Sequence, residues 1–338
     1  MKFRSTCLYP WFLVIQLSLS LPALAGPCGK TGPIVFGGLD WDSARFHNAV
    51  AALLLEKAWG CRTDEIPGST LPMLAGLARG DVHILMEVWK DNVTEVWGKA
   101  VRRGQVEDAG VNFPDAVQGW YVPRYLVEGK DAAAPGLRSV GDLPRYKQLF
   151  RDPEEPGKGR FYNCIAGWSC EVINTKKLGA YGLLDSYTNF RPGTGAALAA
   201  AISSAVKRRQ PVLAYYWGPT WLLGKYDLVM LQEPAWDAKI WQQLGEEKRP
   251  KKATAYPMVA VYKGVNKKFA AGAPQVVAFL RQYRTSQKLI NHWLLWMQNN
   301  RGKDARQAAL AFLRESPAVW QPWLPKAAAQ KVAASLGR

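Results

Sequence analysis

From Ile34 onward the sequence alternates short apolar runs with segments of helical period, and that alternation restricts the fold more than any other feature. Ile34-Val35-Phe36 reads as a strand and Gly37-Gly38 turns the chain. A helix is predicted from near Ser43, with Val50, Leu53, Leu54 and Ala58 spaced along one face. A second helix over 71–78 ends at Gly80, and the apolar run Val82–Val88 follows as a strand with Trp89 at its C-terminal edge. Strands that alternate with helices build a mostly parallel sheet, and ligands sit at the carboxyl ends of its strands. The predicted class is therefore α/β.

The same alternation resumes after residue 122. Asp152-Pro153-Glu154-Glu155-Pro156-Gly157 reads as a surface loop. Gly193-Thr194-Gly195 opens a helix that Thr194 can cap, with Leu198, Ile202 and Val206 on one face and Lys207-Arg208-Arg209 at its end. Val212–Tyr216 then reads as a strand that delivers Trp217. Beyond Ala255 come a strand over 256–262 and helices over 274–283 and 286–298; Leu289, Ile290, Trp293, Leu294 and Met297 recur there at core spacing. A chain of 338 residues exceeds what one core usually serves, so two lobes are expected. Residues 26–122 and 256–338 are assigned to lobe 1 and 123–255 to lobe 2, which makes the first lobe discontinuous. Crossover strands between such lobes act as hinges.

At the N-terminus Lys2 and Arg4 precede an apolar stretch over 8–21 and then Ala23-Leu24-Ala25, the order of a secretory signal peptide over 1–25. Export leads to an oxidising space. Without Cys7, four of the five cysteines remain, and an even number there reads as disulfides. Four cysteines permit three connectivities; proximity favours Cys164 with Cys170 and Cys28 with Cys61. His47, His83 and His292 are scattered without ligand spacing, so no metal and no cofactor is expected. Loss of Lys2 and Arg4 lowers the formal charge from +17 to +15. The basic residues are dispersed (Arg102-Arg103, Lys207-Arg208-Arg209, Lys248 to Lys252) and outside any nucleic-acid motif, so a solvated surface is the simpler reading and nucleic acid is not an expected partner. There is no Gly-x-Ser-x-Gly elbow, no phosphate-cradling glycine loop and no histidine beside a nucleophile, so the chain does not read as an enzyme.

The tryptophans carry the chemistry. Trp168 lies between the two cysteines of Cys164-Ile165-Ala166-Gly167-Trp168-Ser169-Cys170-Glu171. Trp89 follows a strand, Trp217 lies in Tyr215-Tyr216-Trp217-Gly218-Pro219-Thr220-Trp221, and Trp41 occupies a strand-to-helix turn. Such positions concentrate function in open sheets. A methylated ammonium makes no strong hydrogen bonds and spreads its charge over apolar surface, so indole faces suit it; at about 2 kcal/mol for each desolvated pair, three rings supply about 6 kcal/mol. The competing reading is that these are core tryptophans, as most of the fifteen must be.

Gly167-Trp168-Ser169-Cys170-Glu171, Trp89 after its strand, the Tyr215–Trp221 run and Pro317-Ala318-Val319-Trp320 together resemble the periplasmic glycine betaine-binding proteins of ABC importers, over nearly the whole chain. The resemblance implies a two-lobed, type II-like periplasmic binding protein that closes on a small quaternary ammonium ligand and delivers it, as a monomer, to an inner-membrane ABC permease. It implies an aromatic box of Trp89, Trp168 and Trp217, with the ligand carboxylate on the backbone N–H groups of Ser169 and Cys170, where a helix opens toward an anion. Two positions depart from it. Some relatives place a carboxylate-contacting histidine where this chain has Val93, which leaves that contact to Asn92 or another group. Trp41 matches a further box aromatic of the related choline-binding proteins, and Asp42 falls near the place of their hydroxyl-binding aspartate. Tyr121, Tyr125 and Tyr216 are possible further wall residues, although buried structural tyrosine is the simpler reading of each. The alternatives are a choline- or carnitine-type binding protein and a ligand-presenting sensor of the same fold.

Overall fold

The computed structural model describes residues 27–29, 32–300, 302 and 304–337. The signal peptide expected over 1–25 lies outside these residues. Among the described residues nine strands form: β1 (Ile34–Leu39), β2 (Thr63–Gly68), β3 (Ile84–Val88), β4 (Val106–Pro123), β5 (Gly159–Tyr162), β6 (Tyr187–Phe190), β7 (Leu213–Gly218), β8 (Leu228–Met230) and β9 (Val259–Asn266). They are ordered β2-β1-β3-β9-β4-β7-β5-β6, with β8 beside β4.

Pairing is parallel for β1 with β2 and β3, and for β5 with β6 and β7. The sheets are more mixed than the sequence suggests. Every antiparallel pair involves β4 or β9, the strands that lie where the two halves of the sheet meet. Residues 106–116 of β4 pair with β9, and 117–121 pair with β7. The ladder thus changes partner within one 18-residue strand. Three register shifts interrupt the β4–β9 ladder, and Gly110 and Asp115 take positive φ of 92° and 61° along it. This is the bent part of the strand, as bulges and left-handed residues require. The chain returns through residues 253–258, so β9 starts three residues later than the apolar run from Tyr256 implies.

The local signals act as expected. The helix Asp42–Trp59 ends at Gly60, whose φ of 70° lets its N–H reach the Glu56 carbonyl and the following Cys61 N–H reach that of Leu55. Thr194 caps the helix Gly195–Lys207 by accepting from the Ala197 N–H. The C-terminal helices 287–299, 305–315 and 326–336 join the core under the helix Asp42–Trp59, where Phe46 stacks on Trp293 at 6.2 Å. Trp293 is buried there. Both expected disulfides are present, with Cα–Cα distances of 5.4 Å for Cys28–Cys61 and 6.0 Å for Cys164–Cys170. Among the described residues, no helix is long and apolar enough to cross a membrane.

Candidate functional site

Four indoles stand where parallel strands run out. Trp41 follows β1 and precedes the helix Asp42–Trp59; Trp89 follows β3; Trp168 precedes the helix Ser169–Ala180; Trp217 lies near the end of β7. Two come from the half of the sheet that holds β1 and β3, and two from the half that holds β5 and β7. All four line one small cavity of about 30 Å³. Trp168 meets two of the others edge to face, 5.4 Å and 77° from Trp41 and 5.1 Å and 87° from Trp217, the arrangement that ring quadrupoles favour.

The polar edges of the rings are tied to carboxylates that do not line this cavity. Trp168 Nε1 donates to Asp40 Oδ1 at 2.6 Å. Trp41 Nε1 and Trp89 Nε1 both donate to Glu87 Oε2, at 2.9 and 3.1 Å. Trp217 is braced by Tyr215, stacked at 6.2 Å, and by Tyr216 at 4.6 Å.

A polar corner completes the lining. Asn92 Nδ2 donates to Gln118 Oε1 at 2.7 Å, and the Tyr215 hydroxyl donates to the same oxygen at 2.8 Å. Ser169 and Cys170, which line this cavity, open a helix whose N-terminus has no side-chain cap, so its positive end lies beside this wall. Gly167, at φ 92°, lets the loop approach closely, since a Cβ there would fall 2.4 Å from Ser69 Oγ. Gly195 does the same beside Trp168, where a Cβ would lie 2.9 Å from the indole.

Burial controls the electrostatics behind the rings. It pushes the Glu87 carboxyl above its ordinary range, against the Ser43, Trp41 and Trp89 hydrogen bonds that favour the ion. It drives His47 down to about 3, helped by the Lys263 ammonium, so this imidazole is neutral. Asp42 is raised by burial in spite of Arg45.

Of the residues singled out in the sequence, Trp41, Trp89, Trp168, Trp217, Asn92, Ser169 and Cys170 come together around the small cavity. Asp42 lines a neighbouring cleft of about 540 Å³ that shares Trp41, Trp168 and Trp217 as its wall. Val93 lies in a third cleft of about 380 Å³ on the Asn92 side. Tyr216 faces the larger cleft, Tyr125 donates to the Gln210 carbonyl, and Tyr121 is buried, so none of the three lines the small cavity. Thr70, Gln118, Tyr215 and Glu87 were not foreseen. For Glu87 the signal was present as a single acid inside the apolar run Ile84-Leu85-Met86-Glu87-Val88; Gln118 is likewise a buried amide within a strand.

Comparison with known proteins places the chain. Residues 32–315 match the OpuAC family model, described as the substrate binding domain of ABC-type glycine betaine transport system. The glycine betaine-binding periplasmic protein OusX of Dickeya dadantii is 29% identical over 164 residues, 47% of this chain and 47% of that protein, so the match spans about half of its length. The trimethylamine N-oxide-binding protein of Pelagibacter ubique is 22% identical over 92% of this chain and 96% of its own. An ABC-transporter choline-binding protein solved in complex with choline superposes with a TM-score of 0.71 at 18% identity, covering 90% of this chain and 98% of that one, a likeness of fold. The family is one of transport-associated binding proteins and not of enzymes. With 32–315 matched, this chain belongs to the family of substrate-binding domains of ABC-type glycine betaine transport systems.

Proposed function

We propose that this chain captures glycine betaine, or a close methylated-nitrogen relative, in a cage of Trp41, Trp89, Trp168 and Trp217 and hands it to an ABC permease. The observation that carries the reading is that four indoles from both halves of the sheet line one cavity. Three or four ring faces around a methylated cation supply about 6–8 kcal/mol, against about 8 kcal/mol for micromolar binding. The uncapped helix end at Ser169 and Cys170 supplies N–H groups for a carboxylate, and Asn92 and Gln118 stand where a further contact is needed.

The cavity of about 30 Å³ has room for about two waters. A ligand therefore reaches it when the lobes part. We assign lobe 1 to residues 26–122 with 256–338 and lobe 2 to 123–255; the handover of β4 from β9 to β7 after Ala116, near that boundary, supports hinging between them. The protein acts as a monomer in the periplasm, with no nucleic acid partner.

The test is calorimetric titration with glycine betaine, trimethylamine N-oxide, choline and carnitine. Saturable binding of a methylated ammonium compound near the micromolar range is expected. No heat with any of the four would end the proposal. A choline-type reading is favoured by Trp41 alone, and tighter binding of choline than of glycine betaine would establish it.

A further inference from the structure

Glu87 is unusual in its surroundings. It is 2% exposed, at the end of β3, directly behind the cage. Its carboxylate receives hydrogen bonds from two cage indoles, and from the Ser43 hydroxyl of the helix Asp42–Trp59. All three donors are neutral. Among the described residues the one basic side chain in ion-pair reach is His47, with Nε2 3.8 Å from Glu87 Oε1, and burial keeps that ring uncharged. Behind His47 lies the Tyr283 hydroxyl at 2.8 Å from Nδ1, and the Lys263 ammonium is occupied by the Val111 and Tyr283 carbonyls at 2.7 and 2.6 Å. A buried carboxylate without a cation is costly and is found where function requires it.

We propose that Glu87 is a positioning residue whose missing counter-ion is the guest itself: it holds Trp41 and Trp89 by their N–H edges and makes the cage select a cationic head over an uncharged one of the same shape. The inference rests on the cage reading above. A guest stacked on those rings stands roughly 8 Å from the carboxylate, where a unit charge at an effective dielectric near 20 changes affinity by roughly thirtyfold. Hydrogen bonding to the indole N–H groups further enriches the ring faces in electron density. The tethered rings also need no reorientation when the guest arrives.

The probes are glycine betaine and 3,3-dimethylbutanoate, which differ only in a trimethylammonium nitrogen against a quaternary carbon. Glu87→Gln keeps an oxygen able to accept from both indoles and removes the charge. The expected result is that betaine binds about thirtyfold more weakly to E87Q while the affinity for dimethylbutanoate does not fall. Unchanged betaine affinity, or an equal fall for both compounds, would overturn the proposal, the second outcome marking a purely structural role. If the wild-type protein binds neither compound, it is the cage reading that fails. Should E87Q not fold, the wild-type protein answers through its pH profile. Burial raises the Glu87 pKa and an adjacent cation lowers it, so betaine binding releases a proton and weakens as acidification protonates Glu87, while dimethylbutanoate binding weakens less. Parallel profiles for the two compounds would overturn the proposal.

Discussion

Trp168→Ala is the substitution that most directly tests the cage. Trp168 is 3% exposed, touches Trp41 and Trp217 edge to face, and sends its N–H at 2.6 Å to Asp40, which follows β1 in the other half of the sheet. Removal of its face from a desolvated cation costs about 2 kcal/mol. The Asp40 bond is a hydrogen bond to a charged group, worth about 1.5–3 kcal/mol net, and it joins the two halves of the sheet, which the proposed capture brings together. Part of that value is lost from binding as well, so the affinity for glycine betaine should fall by roughly 2–4 kcal/mol, about 30- to 1000-fold. Isothermal titration calorimetry measures it. Trp120→Phe is the control. Trp120 is fully buried, donates to Asn174 Oδ1 at 2.8 Å and lies outside the cage, so its loss should lower the melting temperature and leave the affinity within about threefold. If W168A binds within threefold of wild type, or if W120F loses as much affinity as W168A, the cage does not hold the ligand.

Two further outcomes are expected. Cys28–Cys61 joins residues 33 apart and Cys164–Cys170 residues 6 apart, so loss of the first to serines should cost about 4 kcal/mol of stability and loss of the second about 2 kcal/mol. In thermal unfolding the first variant falls further, but only the second should weaken betaine, because its loop carries Trp168 and Ser169; the reverse pattern would contradict this assignment. His47 is held down to about 3 in the folded chain, whereas the unfolded chain takes up a proton near pH 6.5. The unfolded state therefore binds more protons as pH falls, and this group removes about 1.4 kcal/mol of stability per unit between about pH 6.5 and about pH 3. The stability difference between wild type and His47→Gln, from urea unfolding, should narrow by about 2–3 kcal/mol between pH 6.5 and 4.5. A constant difference would mean that His47 is not buried neutral.

Much of this protein is local in origin, and that part was legible. The helix Asp42–Trp59 with its Gly60 stop, the Thr194 cap, and the placement of Trp89 after β3 and Trp217 near the end of β7 all follow from periodicity and end chemistry within a few residues. The Cys164–Cys170 loop and the tryptophan inside it could be read in the same way, because six residues of chain leave a bridge few geometries. The handover of β4 from β9 to β7 after Ala116 could not, since nothing in a strand states which neighbour each half will find. Gln118, Tyr215 and Thr70 reach the cavity from three separate segments, and Asp42 faces the adjoining cleft although it directly follows Trp41. Glu87 shows the division most clearly. The sequence displays an acid in an apolar strand, but that its carboxylate receives two indoles, one of them 46 residues away, is decided only when β1 and β3 pair side by side. Periodicity and caps are properties of neighbours along the chain; convergence on a cavity is a property of neighbours in space, and the packing of the whole core selects it.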